Sequence, residues 1–402
     1  MPAVLKRRAV AMSYSCAQTG VSMRFLLLLV LLVAGILGGV WLGGESWLTG
    51  RASALIGQRE DMSAGSIAPL REMGRIGLRA EQVEYSGHLS GMPADLSLPW
   101  VDIWVPPMAP NAVHATLPEQ AVLVLNDGAP VDLGLAGAQV MMRVSPANDM
   151  AISRAAIAAG QITVAGQPAV EGLSGRVDLV GLGHDAPRAA GAAYDVVLRL
   201  DRLDPAALAM LGLPAPVLPG DLAVQGDLRL WLTAPPRAGA PQGGQPQPIG
   251  FNTRGLSLSM GDLRARLVGE VRPDDQGRAS GRLALYTADA DGWLQAAADA
   301  GMIPPSGVML GGAVLRNLSQ MPLNPEAPAE TSNRAANGTT MRLATGFLFP
   351  EPAADEMRLP IILRDGQVFL GNIPIGSAPQ LLGDQAQRRG PDRATASILG
   401  RG

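Results

Sequence analysis

The feature that most restricts the fold of this chain is a period-two alternation of apolar and polar residues in short runs after residue 78. In the clearest run, every second residue from Leu222 to Leu232 is apolar or glycine. Because successive side chains of a strand point to opposite faces, such a run predicts a strand with one buried face. Similar runs occur at 96–98, 100–105, 121–125, 139–144, 175–180, 194–200, 256–260, 263–267 and 281–286.

Short turns join several of these runs. The segment 274–277, Asp-Asp-Gln-Gly, separates two runs, and Asp365-Gly366 separates 359–364 from 367–370. Connections this short cannot make a parallel crossover, and Asp-Gly is typical of a type I′ hairpin turn. Few aromatic residues, 4%, and 49 glycines suit a curved sheet. We therefore predict a mainly β fold: a large curved antiparallel sheet with a few helices.

The helices are predicted near the C-terminal end. Asp289 or Asp291 can cap a helix that runs to Ala300, and Gly301 is a typical residue just after a helix. A second helix is predicted from Val308 to Leu318.

Three stretches are predicted to be flexible. Residues 235–248 and 322–340 are rich in Pro, Gly, Ala, Asn and Gln, which predicts two flexible excursions, and 383–402 is predicted to be a disordered tail. The first excursion divides the β-rich region near its middle. Two β-rich halves and one long sheet are both compatible with this pattern.

The N-terminal region contains 20 residues without a charge, Phe25–Gly44. As a helix this segment spans about 30 Å, the thickness of a bilayer's hydrocarbon core. Lys6, Arg7, Arg8 and Arg24 precede it, and basic flanks stay on the cytoplasmic side. We therefore predict a bacterial inner-membrane protein with a cytoplasmic tail at 1–24, a transmembrane helix at 25–44, a juxtamembrane helical segment at 45–79 and a β-rich periplasmic domain at 80–382.

Two alternatives stay open at the N-terminus. A cleaved signal peptide has a similar basic start and apolar middle, although its apolar part is usually about 7–15 residues long. Met23 directly precedes Arg24 and the apolar run, so translation starting at Met23 is an alternative to Met1.

The composition excludes several classes of protein. With 47% hydrophobic and 17% charged residues, the chain is unlike a disordered or nucleic-acid-binding protein. One cysteine, Cys16, excludes disulfide scaffolds and multi-cysteine metal sites.

Catalytic motifs are absent from the sequence. It contains no G-x-S-x-G nucleophile elbow and no phosphate-binding loop. His88, His114 and His184 are far apart in sequence, and Gly183-His184-Asp185 is typical of a turn. Turn formation and helix capping explain the acid pairs at 274–275 and 289/291. We predict a protein that is not an enzyme, with no catalytic residues, cofactor or metal.

Two tryptophans, Trp100 and Trp104, share one face of a predicted strand. Core packing is the simpler interpretation, and a face that lines a ligand is the alternative.

The order of the segments resembles a known family. After the apolar N-terminal run come a strand pair around 91–93, the segment 283–286, a helix at 293–300 followed by Gly-Met-Ile-Pro at 301–304, Leu-Pro-Ile-Ile-Leu-Arg-Asp-Gly at 359–366, and Gly-Asn-Ile-Pro-Ile-Gly at 371–376. These segments resemble the bacterial envelope family called domain of unknown function 2125. The resemblance implies a membrane-anchored periplasmic protein. Its architecture is broadly similar to AsmA-like envelope proteins, which are associated with moving or organising lipid.

Two functions follow as hypotheses. The first is a structural or assembly factor of the cell envelope that binds another protein through a sheet edge or a flexible loop. The second is a lipid-binding or lipid-transfer protein that uses an apolar groove on the sheet.

Overall fold

The computed structural model describes residues 61–382, except 73, 90–91, 127, 212–217, 238–245, 301–307, 309–311, 313–314, 321–322 and 324–346. These residues form one antiparallel sheet of 17 strands with short helices beside it. The strands are β1 Met62–Glu72, β2 Arg75–Leu89, β3 Met92–Val105, β4 Ala112–Thr116, β5 Gln120–Leu125, β6 Val131–Ala136, β7 Gln139–Ser145, β8 Ala151–Val164, β9 Gln167–Val180, β10 Ala192–Leu203, β11 Leu222–Leu232, β12 Pro248–Met260, β13 Leu263–Pro273, β14 Ala279–Thr287, β15 Met357–Arg364, β16 Gln367–Leu370 and β17 Ile373–Ser377. The helices are a 3-10 turn Pro146–Asn148, α1 Pro205–Met210 and α2 Ala290–Asp299, and residues 315–318 are also helical.

The strands follow one another almost as a simple meander. From β8 to β17, each strand pairs with the next in sequence. Nearer the N-terminus, β3 pairs with both β4 and β5, whose partners β7 and β6 both pair with β8. The predicted mainly β, antiparallel fold is confirmed. Because β11 pairs directly with β12, the sheet is continuous across the 235–248 excursion.

The sheet has two chemically different sides. The apolar face is the side that carries Ile103, Leu198 and Leu256, and the polar face carries Trp104, Asp195 and Arg229. Leu98 packs in one cluster with Ile103, because the alternation of β3 is interrupted opposite Gln82. On the apolar face of β2, β3 and β5, Leu98 packs in a buried cluster with Val83 and other aliphatic side chains. This separation is what the alternating runs predicted.

The described helices cover the apolar face near one end of the strands. Ala207 of α1 packs against Val164 and Ala169, and Ala290 of α2 packs with Leu315 and Leu359. Some of the polar face is covered as well, because Tyr286 packs with Phe349 and Trp231 packs with Leu382. The core is therefore a series of separate clusters along the sheet.

Two local predictions are confirmed. In the 364–367 hairpin, Asp365 and Gly366 have φ values of 54° and 74°, as a type I′ turn requires. The Asp289 carboxylate accepts a hydrogen bond from the Gly292 amide, which caps α2. Of the predicted helix at 308–318, the described residues 308, 312 and 315–318 are helical.

The predicted juxtamembrane helical segment at 45–79 is wrong for residues 62–72 and 75–79. These residues form β1 and the first part of β2, which pair from Met62 opposite Tyr85 to Glu72 opposite Arg75. The loose spacing of Leu, Ile and Met suggested a helix, but pairing with β2 determines the conformation. Pro69 is compatible with β1 because β1 lies at the edge of the described sheet, where a missing N–H costs no ladder bond.

Several N- and C-terminal predictions lie outside the described residues: the tail at 1–24, the apolar segment Phe25–Gly44, residues 45–60, the excursion at 324–340 and the tail at 383–402. Within the part of the chain that the structure describes, no helix is long and apolar enough to cross a bilayer.

The type I′ turn supplies a test of the fold. A Cβ added at Gly366 would lie 2.4 Å from Arg278 Nη1 in a backbone with φ of 74°, whereas one added at Gly376 meets nothing within 4 Å. We expect Gly366→Ala to lower the free energy of unfolding by about 1–2 kcal/mol, because an L side chain is strained there. Chemical denaturation measures this, with Gly376→Ala as the matched control. Equal effects of the two substitutions would contradict the turn assignment.

Candidate functional site

A row of apolar residues crosses the sheet perpendicular to the strands. Each member lies directly opposite the next in the strand pairing, from β1 to β15 through thirteen strands. With strands about 4.8 Å apart, the row is about 58 Å long. Its members, here called the transverse row, are Pro69, Leu78, Ile103, Ala115, Val140, Ile157, Gly175, Leu198, Gly226, Leu256, Leu267, Leu285 and Leu359.

The transverse row is accessible in its middle. Val140 is 40% exposed and its cross-strand partner Ile157 is 47% exposed, whereas Leu78 and Leu359 near the ends are buried. Among the described residues, the covering helices pack near Val164 and Leu359 and not at this pair. Across the residues that the structure describes, the central part of the apolar face is therefore exposed.

Glycines shape the row beside the exposed pair. A Cβ added at Gly175 would lie 3.2 Å from Ile157 Cγ2 and 3.9 Å from Leu198 Cδ1, so these two aliphatic side chains lie close over the glycine. Gly226 stands opposite Leu198, and a Cβ there would lie 2.5 Å from the Gly255 carbonyl oxygen, so the backbone of β12 comes close at this point. Where the row crosses β9 and β11, neighbouring atoms thus lie over a glycine.

The polar face carries paired charges over the same strands. Arg229 donates two hydrogen bonds, of 2.8 and 3.1 Å, to Asp195, and Arg154 pairs with Asp178 on the neighbouring strands. The hydrogen bond from Arg229 to Asp195 raises the pKa of Arg229. Because these charges face solvent and pair with one another, the two faces of the sheet stay distinct.

A cavity of about 1120 Å³ crosses β1, β2, β3, β5, β6 and β8. On several strands it contacts three consecutive residues, of which the middle one, such as Val83, Leu98 or Ala121, is buried and its neighbours are mostly exposed. Since alternate residues point to opposite faces, the exposed neighbours form the walls and the buried residues form the floor through their backbone. The cavity therefore opens on the polar face.

The three histidines do not converge. His88 and His184 are exposed, and His184 lies in the predicted turn. The ring of His114 stacks on Trp104, with centroids 4.2 Å apart and an interplanar angle of 11°. Within the described residues, no group of three or more His, Cys, Asp or Glu side chains is placed to hold a metal ion.

The two tryptophans of β3 share the polar face, as their spacing predicted. Arg79 lies 4.9 Å from the ring centroid of Trp100, and Arg75 lies 4.6 Å from that of Trp104. Arg79 also donates hydrogen bonds of 2.6 and 2.7 Å to Asp102, which raises its pKa. The tryptophans are thus half-buried under arginines, and the core-packing interpretation is wrong for this pair.

The acid pairs have local structural roles. Asp274 accepts hydrogen bonds from the amides of Gln276 and Arg278, and its pKa is lowered because these bonds and the Arg278 side chain outweigh partial burial. Asp289 caps α2. These contacts confirm the turn and capping interpretations.

Sequence reasoning missed most of the N-terminal part of both surfaces. Val140 lies in a predicted strand, but β4, β6 and β8 were not predicted, and these strands supply Ala115, Gly134 and Ile157. In β8 the alanines at 155, 156, 158 and 159 remove the apolar–polar contrast. The larger apolar residues that remain, Ile152, Ile157 and Ile162, are five residues apart. This spacing does not fit the two-residue alternation that predicts a strand.

A comparison with known protein families gives a match for most of this sheet. Residues 74–379 match a family described as an uncharacterized protein conserved in bacteria, DUF2125. The chain belongs to this family. The predicted resemblance to DUF2125 is thereby confirmed, and the match covers nearly the whole described sheet. No curated protein and no solved structure matches the chain. The DUF2125 description gives no activity, so a function must be argued from the surfaces themselves.

The Trp104–His114 stack predicts a pH dependence of stability. Burial, and then the positive charges of Arg143 and Arg75, lower the pKa of His114. The contribution of the neutral ring is therefore present above the unfolded-state pKa of about 6.5 and is lost as the pH falls through the lower folded-state pKa. We expect His114→Gln to lose less free energy of unfolding between about pH 7 and 5 than the parent chain does.

Denaturant titrations at several pH values measure this difference. His88→Gln, which alters an exposed histidine, is the control. An identical pH dependence of the parent chain and His114→Gln would show that the ring does not titrate differently in the folded state.

Proposed function

We propose that the protein is a non-enzymatic lipid-binding protein whose apolar sheet face holds an acyl chain. The observation that carries the proposal is the transverse row, which stays apolar through thirteen strands and is exposed at Val140 and Ile157. Moving a methylene group from water onto such a surface contributes about 0.8 kcal/mol. A linear hydrocarbon makes this contact repeatedly without needing a polar partner.

The shape of the row favours a chain over a compact ligand. The members of the row are Ile, Val, Leu, Ala, Pro and Gly residues, so no side chain in the row can form a hydrogen bond. At about 58 Å, the row is longer than one extended acyl chain, since two opposed layers of such chains fill a bilayer core of about 30 Å. The row therefore suits chains placed end to end or a chain that slides.

The proposal includes a place in the cell. The DUF2125 sheet is held at the bacterial inner membrane by the predicted helix at 25–44 and lies in the periplasm, close to a source of acyl chains. The basic flank at Lys6, Arg7 and Arg8 and the uncharged length of the segment support this arrangement.

Crosslinking in living cells tests the lipid proposal on the full chain. A photoreactive amino acid replaces either Ile157, 47% exposed on the apolar face, or Val197, 43% exposed on the polar face. We expect irradiation to attach lipid at position 157 and not at 197, because only 157 lies in the transverse row. Intact-mass spectrometry of the purified protein identifies the adducts. Absence of lipid at 157, or equal lipid at both positions, would refute the proposal.

The assembly function has its own supporting observation at the far edge of the sheet. All residues of β17 are exposed, including Ile373 at 43% and Ile375 at 59%, and among the described strands β17 pairs only with β16. An edge strand with free backbone groups and exposed apolar side chains can accept a strand from another protein. As the second candidate, we propose that an envelope protein docks here.

A crosslinker at Ile375 tests the assembly proposal. We expect one protein adduct in a stoichiometric band from membranes, because strand addition at β17 places a partner against this residue. A crosslinker at Met108, which is 97% exposed on the β3–β4 loop, is the matched control. Adducts that are equally diverse at the two positions would rule out docking at β17.

A further inference from the structure

The cavity on the polar face has a lining that the lipid proposal does not use. Its polar side chains are three hydroxyls, two amides and two carboxylates, and no Arg, Lys or His lines it in the described structure. The polar lining residues are Ser63, Gln82, Glu84, Ser97, Gln120, Asp132 and Thr163.

Two glycines make room for polar side chains near the two ends of the cavity. A Cβ on Gly65 would lie 2.3 Å from Gln82 Oε1, and a Cβ on Gly134 would lie 2.3 Å from Thr163 Oγ1. The Gln82 amide therefore lies over β1 and the Thr163 hydroxyl lies over β6. Gln82 also has a φ of 51°, an unusual value for a residue other than glycine, at an irregular point of β2.

The long axis of the cavity follows the strand-to-strand direction. Ser63, Glu84, Ser97, Val122 and Asp132 lie directly opposite one another on successive strands. Six strands about 4.8 Å apart give a length of about 24 Å. This length and a volume of about 1120 Å³ exceed what a single small sugar or amino acid fills.

The polar groups of the lining are largely unused within the protein. Ser63 Oγ lies 3.5 Å from Glu84 Oε2, and the described structure shows no hydrogen bond from the side chains of Gln82, Gln120 or Thr163. Hydroxyl and amide groups donate and accept, whereas carboxylates accept only. A ligand with many hydroxyl groups, each of which donates and accepts, complements this set. With two carboxylates and no cation, the lining repels a ligand that carries negative charge.

We infer that the cavity binds a saccharide chain that is neutral or carries amino groups. Hydroxyls of the chain exchange hydrogen bonds with Gln82, Gln120 and Thr163, and amino groups pair with Glu84 and Asp132. The site lies on the opposite face from the transverse row and does not depend on lipid binding.

Calorimetry on the full chain in nanodiscs tests this with three hexasaccharides: maltohexaose, a chitosan hexamer and an oligogalacturonate hexamer. We expect the first two to bind and the carboxylated hexamer not to bind. Gln120→Ala should weaken binding of both ligands at least tenfold, since it removes a donor and an acceptor from the wall. Glu84→Gln should weaken the chitosan hexamer more than maltohexaose, because only the former carries amines.

The control is Gln139→Ala, an exposed glutamine on β7 outside the cavity, which should leave binding unchanged. The inference is overturned if none of the three hexamers binds, if the oligogalacturonate binds best, or if Gln120→Ala and Gln139→Ala have the same effect.

Discussion

Strand register is the constraint on which the other features of this sheet depend. A shift of one residue between any two neighbouring strands would place apolar side chains on the polar face. The register holds through short hairpins such as Asp365-Gly366, whose backbone fixes which residues face each other. It also holds through cross-strand ion pairs such as Arg229 with Asp195, which would be separated by a slip. The transverse row is continuous because these turns and ion pairs keep a matching register from one strand to the next.

The two faces offer different chemistry because one exposes apolar side chains to water and the other exposes polar and charged side chains. In the part of the chain that the structure describes, helices pack on the apolar face near one end of the strands, and Val140 and Ile157 stay exposed. The polar face is mostly satisfied by arginine–carboxylate pairs, and the cavity walled by Gln82, Gln120 and Thr163 is a place where its polar groups lack such partners. The two proposed ligands would therefore bind on opposite faces of the sheet and would not compete.

Much of the fold was predictable because its physical causes are local in sequence. The alternation at 222–232, the Asp-Gly turn and the Asp289 cap each depend on neighbours within a few residues, and the structure confirms them. The strand β1 was not predictable, because its conformation depends on pairing with β2 over eleven residues whose own pattern is weak. The alanine-rich strand β8 was missed for a similar reason, since alanine fits both a helix and a strand surface.

The candidate surfaces were less predictable than the fold. The sequence indicated an apolar face but not which of its residues stay uncovered, since that depends on where α1 and α2 pack. The cavity could not be predicted from the sequence, because its walls come from six strands spread between Ser63 and Gly166. Its decisive details, Gln82 over Gly65 and Thr163 over Gly134, are contacts between strands that no local motif encodes.

The fork in the sheet also bears on how this family can diversify. The two short strands β4 and β5 pair with different parts of β3, and the short strands β7 and β6 pair in the same way with different parts of β8. The strands β5 and β6 pair with each other on either side of the connection between them, so this connection can gain or lose residues while β3 and β8 keep their places. Length variation among relatives is therefore expected to collect at this fork, and a foreign peptide grafted there should leave the remainder of the ladder undisturbed.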